Sequence, residues 1–429
     1  DNGSSIAFTT LPILALIFKP ITHWVDTPLQ FFGLWSLTCF IGQAVSAWKL
    51  LGLWIQNRIQ LSIGVGFFVM SPAFLDRLTF HFGPSAHWIL LTALYLYFIP
   101  TFKIRNWLII GSLSVLVFPY IAFMVAVIYF SRILRDVIQE KNVLGQVRNL
   151  FLYISVLGAV AWQCGYFMVD GGEIGADGFG TYSANALTFV DPGFPEMYRM
   201  PWSHVVPDRW QDTGQYEGFA FIGSGVLILA IVAWLVKILK GTRLSRVLLI
   251  IPVVLVAALF GRDPDPAQIK LTTLLGIIIA IAFENLLQSR KRNLTPKLIL
   301  CLSTVGMFVF ALSNRMLIGQ FQLVSFKLTT LQLQVLSTFR SSGRFVWPLM
   351  LVVITLVLVS FIKEIPQLLV APILALALIF QVFDGNNGSQ FTTDAYSRAG
   401  PENLLVSRLW DQLGEKYDGV LFSPAANKP

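Results

Sequence analysis

Two arginines, Arg340 and Arg344, stand four residues apart in the stretch "STFRSSGRFVWP", immediately before a long apolar run. Residues at this spacing share one face of a helix. Two guanidinium groups on one face could bind a phosphate in a two-pronged geometry, helped by the dipole and free N–H groups of a helix start. Gly343 would let such a ligand approach the backbone closely. Alternatively, both side chains only reach lipid headgroups from a membrane helix end.

A second candidate site is the long segment 169–217, which holds eight acidic residues against two arginines. Its mixture of Gly, Tyr, Asn and acids suits sugar recognition, and loops this long are usually functional or disordered. We predict that Asn185, Asp191, Tyr216 and Glu217 bind substrate and face one cavity with the arginine pair. Glu217 is expected in the first turn of the next apolar helix, where an acid could also merely complement the helix N-terminus.

The third candidate is "DRLTFHFGPSAHW", residues 76–88, from which Arg77 and His81 are predicted to contact substrate. The two histidines, His81 and His87, are six residues apart, which is not a metal-ligand spacing, so no metal site is predicted here. An ionisable cluster at a helix junction suits a phosphate or polar substrate, or else forms a satisfied interfacial turn. No cofactor is identified, and a role for a divalent cation stays open.

Composition places these candidates in a membrane protein. The 429 residues are 55% hydrophobic and only 13% charged, whereas a soluble domain averages about 25% charged. Apolar stretches long enough to cross a bilayer recur throughout. We predict an all-α polytopic membrane protein, a bundle of roughly 11–12 transmembrane or half-membrane helices. The apolar segments lie near 29–54, 59–76, 86–101, 107–131, 149–168, 218–240, 244–260, 268–288, 297–318, 345–362 and 366–383, with a shorter one at 5–21.

The charged segments give the predicted orientation. Basic clusters at 132–148, 237–246 and 290–297 indicate cytoplasmic loops under the positive-inside rule, so the net charge of +8 does not indicate nucleic-acid binding. The acidic segment 169–217 is then external. The segment 314–344 is also external by helix count, although it holds basic residues and no acid, and we predict that it is re-entrant or interfacial.

Two further features concern organisation. Segment 107–131 contains Pro119 and is either one kinked helix or a pair of half-helices, and the flanking charges favour the pair. Residues 1–383 are predicted to form the transmembrane domain, and 384–429 to begin an external C-terminal segment that is truncated. The three cysteines lie in apolar segments, which predicts small core residues without a disulfide framework.

Six stretches, taken in order, resemble a bacterial family of multi-spanning membrane proteins of unknown function, which is itself similar to the GT-C glycosyltransferases. They are "SSIAFTTLPILALIFKP", "QFFGLWSLTCFIGQ", "AHWILLTALYLYF", "YSANALTFVDP", "GQYEGFAFIGSGVLIL" and "FRSSGRFVWP". Relatives carry an Asp-containing stretch before the first of these and an Asp-Ser pair where this chain has Thr9 and Thr10. We therefore expect the first membrane helix and the catalytic acid to lie upstream of this chain.

The resemblance implies a function. In GT-C enzymes a polyprenyl-phosphate sugar donor enters from the lipid, an external acid activates the acceptor hydroxyl, and external basic residues hold the lipid phosphate. Arg340 and Arg344 would hold it here. The implied partners are a lipid-linked sugar donor, a glycan or lipid acceptor and membrane lipids, with no nucleic acid. The implied location is the bacterial inner membrane, with the active side extracytoplasmic. A transporter or flippase of lipid-linked glycans, or a non-catalytic envelope assembly protein, would fit the same residues.

Overall fold

Helices form nearly all of the regular structure. The computed structural model describes residues 11–22, 24, 31–80, 82–140, 142–168, 178–193, 201–208, 214–260, 265–289, 291–397 and 407–417. The helices are α1 (Pro12–Thr22), α2 (Phe32–Leu51), α3 (Arg58–Val69), α4 (Pro72–Phe80), α5 (His87–Phe98), α6 (Ile104–Val117), α7 (Pro119–Glu140), α8 (Val143–Gln163), α9 (Ser224–Lys240), α10 (Arg243–Phe260), α11 (Pro266–Leu287), α12 (Lys291–Leu312), α13 (Thr330–Leu336), α14 (Trp347–Glu364), α15 (Gln367–Asp384), α16 (Asn386–Ser397) and α17 (Arg408–Lys416). The prediction of an all-α protein is confirmed.

Several helices are long and apolar enough to cross a membrane. In the described part of the chain, six meet this condition: α8, α10, α11, α15, the part of α12 from Thr295, and α14 together with the turn before it. A seventh span results if α3 and α4, which meet at an angle of 49°, count as one broken helix. Shorter apolar helices, such as α5 and α6, lie between them. The chain is therefore a multi-pass membrane protein.

Two prolines divide apolar segments into separate helices. Phe118 is extended, with φ −164° and ψ 126°, and α7 begins at Pro119. Proline is tolerated at a helix start, where its missing N–H costs nothing, and it drives the preceding residue out of the helical region. The predicted division of 107–131 at Pro119 is confirmed, but α7 has 22 residues and is longer than the half-helix that was expected. Segment 59–76, expected to be one helix, is broken in the same way because α4 begins at Pro72.

The expectation that residues 132–148 form a loop is wrong, because α7 continues to Glu140 and α8 begins at Val143. The cytoplasmic side of this segment stays a prediction. Arg132 is fully buried in α7 and donates to the carbonyls of Leu96 at 2.9 Å and Ile99 at 2.7 Å, at the end of α5. The last carbonyls of a helix have no partner within it. Arg132 supplies that partner, while its Nε donates to Asp136 at 2.7 Å. These charges complete a helix end and are not free loop charges.

The segment 314–344 contains a β-hairpin that the sequence analysis missed. Strand β1 (Arg315–Ile318) pairs antiparallel with β2 (Phe321–Ser325), with Ile318 opposite Phe321. Gly319 in the connecting turn has φ +61°, a conformation that favours glycine. Helix α13 and two 3₁₀ turns, Ser337–Phe339 and Ser342–Val346, then lead to α14. The predicted re-entrant or interfacial placement stays a prediction.

Helix α14 lies at the centre of the bundle. It packs against α5, α9, α11, α12 and α15, and most of its residues are buried. Two compact units are distinguished, residues 1–392 and 393–429. In the second unit, Ser407 caps the start of α17. The cysteines are free thiols, with Cys39 and Cys164 buried and Cys301 partly exposed.

Candidate functional site

A buried carboxylate joins two of the predicted arginines. Arg344 binds Glu217 in a two-pronged geometry, with Nε donating to Oε2 at 2.9 Å and Nη2 to Oε1 at 2.7 Å. Arg77 Nη1 donates to the same Oε2 at 3.1 Å, and Arg77 Nη2 donates to the Tyr216 carbonyl at 2.7 Å. We call Arg77, Glu217 and Arg344 the buried triad. All three residues are less than 10% exposed.

Three distant segments supply the buried triad. Arg77 lies on α4, after the bend from α3, and Arg344 lies in the 3₁₀ turn that leads into α14. Glu217 lies in a short 3₁₀ turn, Gln215–Gly218, and the expectation that it starts the next helix is wrong, because α9 begins at Ser224. The glycines on either side of this stretch, Gly214 and Gly223, have φ +96° and +95°. Gly214 comes directly before the turn and Gly223 directly before α9, so the turn and the helix are separate elements. Glu217 therefore complements two guanidiniums instead of a helix dipole.

Gly343 serves chain packing at this site. A Cβ on Gly343 would lie 2.7 Å from the backbone nitrogen of Gly218, and a Cβ on Gly218 would lie 2.5 Å from the Cα of Ala184. The Gly343 N–H donates to the Tyr182 carbonyl at 2.9 Å. The two glycines thus let three segments touch, which brings Glu217 and Arg344 together. This contact takes the place of the close ligand approach that was expected at Gly343.

Arg344 does not reach outward to lipid headgroups. Its guanidinium packs over the rings of Tyr120, at 4.9 Å, and Phe118, at 5.2 Å, while binding Glu217. A planar guanidinium can stack on aromatic faces and bind a carboxylate with two parallel hydrogen bonds, and a lysine ammonium cannot do both. The contacts at position 344 therefore depend on the planar shape of the arginine side chain as well as on its charge.

Arg340 points to a different environment. It is exposed, its Nη2 donates to the Tyr182 hydroxyl at 3.1 Å, and its guanidinium lies 4.8 Å from the centre of the same ring. The expectation that Arg340 and Arg344 share one helix face is wrong. Residues 337–346 form two 3₁₀ turns with a break at Ser341, whose N–H donates to Tyr120, so the spacing of four does not align the two side chains.

Tyr216 extends this surface. Its ring lies 6.1 Å from that of Tyr182 in an edge-to-face arrangement, and it is 36% exposed. Burial, the Glu217 carboxylate and the neighbouring Tyr182 raise the pKa of Tyr216, so its phenol stays neutral at physiological pH. Arg340, Tyr182 and Tyr216 form what we call the aromatic–cationic face, which lies next to the buried triad through the adjacent residues Tyr216 and Glu217.

Asn185 and Asp191 are fully buried and bind the protein itself. Asn185 Nδ2 donates to the Gly319 carbonyl at 2.8 Å and its Oδ1 accepts from the Gly319 N–H at 2.8 Å, which fastens the hairpin turn to the segment around Gln215. Asp191 accepts from the N–H of Gly193 at 2.9 Å. Both residues therefore position the chain around the site, and a direct contact with substrate stays a prediction.

The third predicted cluster lies against the buried triad. His81 lies outside the described residues. Asp76 lies 3.5 Å from Arg77, and the His87 ring packs against Trp347, over which Arg77 also lies. Among the described residues, Asp76 Oδ1 and both ring nitrogens of His87 are buried without a hydrogen-bond partner. Buried polar atoms usually have partners, so these atoms are exceptions, and a contact of this cluster with substrate stays a prediction.

Some participants were missed by sequence reasoning. Tyr120 and Tyr182 contact the two arginines. Nothing in its local sequence distinguishes Tyr120 from other aromatic residues of apolar segments, whereas Tyr182 lies in the segment 169–217 that was predicted to recognise sugars but was not itself singled out. Within the described ranges, no group of three or more His, Cys, Asp or Glu side chains could hold a metal ion. The arrangement can bind an anion at exposed Arg340 and stack a flat ring on neighbouring tyrosines, while the buried triad holds the supporting segments in place.

Comparison with known proteins identifies the family of the chain but no function. Residues 1–263 and 271–386 match a family described as a domain of unknown function, DUF6311, and the chain belongs to this family. No curated protein matches the chain. No solved structure matches it either.

Proposed function

We propose that this DUF6311 member is a membrane glycosyltransferase, which moves a sugar from a polyprenyl-phosphate-linked donor to an extracytoplasmic acceptor in cell-envelope glycan synthesis. The observation that carries the proposal is the aromatic–cationic face beside the buried triad. A guanidinium suits the lipid phosphate, and tyrosine rings suit the sugar.

The residues divide into two roles. Exposed Arg340 binds the donor phosphate, with Tyr182 holding its guanidinium in place. During transfer the bond between the sugar C1 and the phosphate oxygen breaks, a bond from C1 to the acceptor oxygen forms, and the acceptor proton passes to a base. Negative charge grows on the departing phosphate, and a preorganised cation stabilises it. The base is not assigned to a residue of this chain.

The buried triad holds this surface in place. Because Glu217 accepts from both guanidiniums, it is occupied as a structural acceptor and is not a free base. Arg344 is likewise bound and packed, so the phosphate falls to Arg340 alone. This differs from the clamp of two arginines implied by family resemblance.

A second candidate function is a transporter or flippase of lipid-linked glycans. The observation that favours it is the break between α3 and α4, where the helices meet at 49° before Arg77. Interrupted helices with charged residues nearby are typical of binding sites in transporters. Such a protein would bind the same donor without breaking a bond.

One experiment separates the two functions. The purified protein is placed in liposomes that contain a panel of polyprenyl-phosphate hexoses labelled on the sugar, with envelope extract as the acceptor source. A transferase releases polyprenyl phosphate and moves the label to product. A flippase moves intact donor across the bilayer. Intact donor that stays in its leaflet excludes both functions and favours the assembly role.

Variants of Arg340 then test the site. Arg340→Gln removes the charge, and Arg340→Lys removes one of two parallel hydrogen bonds that a guanidinium can form to a phosphate. Each should reduce transfer at least tenfold, because one charge-assisted hydrogen bond is worth about 1.5–3 kcal/mol and 1.4 kcal/mol is a factor of ten. The control is Arg315→Lys, since Arg315 is another exposed arginine from the same 314–344 segment. Transfer by well-folded Arg340→Gln at the wild-type rate would contradict the phosphate role of Arg340, and the same result for Arg340→Lys alone would contradict the two-pronged geometry.

A further inference from the structure

A separate apolar slot runs along α14 and reaches its C-terminal end. It has a volume of about 200 Å³ and is lined by α5, α11, α12 and α14, with Trp54 and Leu50 at its side. Along α14 its lining runs from Leu349 to Lys363, about 21 Å at 1.5 Å per residue. Trp347, beside the buried triad, starts α14, and Lys363 lies in its last turn. No residue of the buried triad or of the aromatic–cationic face lines the slot, so the two sites are distinct.

The slot ends in a polar mouth. Asn285, Lys297, Ser360 and Lys363 line both the slot and an adjoining polar cavity of about 350 Å³. The Asn285 amide donates to Ser360 at 3.1 Å, which joins α11 to α14 at this mouth. An apolar channel that opens onto a polar cavity has the shape of a site for an amphipathic molecule.

The charges at the mouth favour an anion. Lys237 is ion-paired with Glu284 at 2.7 Å and with Glu364 at 3.4 Å, so the acids of this region are already occupied. Lys297 donates to a neutral partner, the Ser289 hydroxyl, at 2.7 Å, and Lys363 forms no ion pair with any described residue. Three lysines against two glutamates leave one positive charge in excess at the mouth.

We infer that this slot binds an anionic phospholipid, with a hydrocarbon chain along α14 and its phosphate between Lys297 and Lys363. An apolar cavity does not hold water well, because water there lacks polar partners. A lysine ammonium is strongly attracted to phosphate, and the paired acids do not compete for it. One hydrocarbon chain and one phosphate therefore match the two halves of the site.

Cys301 provides a native reporter for the slot. It lines the slot and is partly exposed, whereas Cys39 and Cys164 are at most 2% exposed. The rate at which a membrane-permeant maleimide modifies Cys301 is measured by peptide mass spectrometry. The protein is held in nanodiscs of phosphatidylcholine, with or without phosphatidylglycerol, and a Cys301→Ala variant gives the background.

We expect phosphatidylglycerol to slow modification of Cys301 in a saturable way. The double variant Lys297→Gln/Lys363→Gln should need at least ten times more phosphatidylglycerol for the same protection. Lys240→Gln is the matched control, because Lys240 lies at the same end but donates to the Glu364 carbonyl and does not line the slot.

Three results would overturn the inference. Equal rates of Cys301 modification in nanodiscs with and without phosphatidylglycerol, both slow, would show that any hydrocarbon chain fills the slot without recognition of the headgroup. Protection by soluble glycerol 3-phosphate would show a free-phosphate site at the mouth. No protection by any of these compounds would show that the slot does not bind lipid.

Discussion

Replacing the Glu217 carboxylate by an amide tests whether the buried triad forms. In Glu217→Gln, the carbonyl oxygen would take the position of Oε2, since that oxygen accepts from both Arg77 and Arg344. The new NH₂ group would then face Arg344 Nη2, two donors 2.7 Å apart with no acceptor between them. The two guanidiniums also lose the negatively charged group that pairs with both of them.

The loss of the carboxylate determines how far Glu217→Gln lowers the free energy of unfolding. Removing one partner of a buried ion pair costs about 3–5 kcal/mol, because the remaining charge is left buried without compensation. The Asp76 carboxylate, 3.5 Å from Arg77, compensates only in part. Since proteins are stable by about 5–15 kcal/mol, Glu217→Gln should remove a large fraction of the free energy of unfolding.

The assay is unfolding by added SDS in mixed micelles, followed by tryptophan fluorescence. Asp208→Asn is the matched control: Asp208 is half-buried and has no ion pair among the described residues, so its effect should stay within about 0.5 kcal/mol. Combining Glu217→Gln with Arg344→Gln should destabilise the protein less than the two single effects added, because the charge left unpaired by the first change is removed by the second. Removing one partner of a buried ion pair costs several kcal/mol. If the free energy of unfolding of Glu217→Gln lies within about 1 kcal/mol of that of the wild type, the buried triad is refuted.

Three further predictions concern the orientation of the chain in the membrane and two buried side chains that hold neighbouring segments in place. Cysteines placed beside Arg243 should be shielded from an impermeant thiol reagent in intact cells and those beside Ser341 labelled; the reverse labelling pattern would contradict the orientation predicted from charge. Asn185→Ala should destabilise the protein by about 2–3 kcal/mol, because the Gly319 N–H and carbonyl lose their partners, and increased protease cleavage in the hairpin would report it. Arg132→Met should cost about 1–3 kcal/mol in the same unfolding assay, since the buried carbonyls of Leu96 and Ile99 lose their donor while Asp136 keeps Arg135; unchanged stability would argue against the role of Arg132 at the end of α5.

The helical membrane architecture could be predicted from the sequence because it depends on local properties. A bilayer requires runs of apolar residues that satisfy their own backbone hydrogen bonds, and such runs are visible one segment at a time. The division at Pro119 was likewise local, since proline acts on its own residue and its predecessor. Arg344, Glu217 and Arg77 could also be selected from the sequence as candidate site residues, because charged residues next to apolar helices are costly and uncommon.

The arrangement of these residues was decided by tertiary structure. Arg77 and Glu217 are 140 residues apart, and Glu217 and Arg344 are 127 apart, so no spacing rule could pair them. Arg340 and Arg344 illustrate the converse: their spacing suggested one helix face, but the chain adopts 3₁₀ turns where Gly343 packs on Gly218. That close backbone contact, possible only between glycines, directs Arg344 inward to a buried carboxylate and leaves Arg340 exposed.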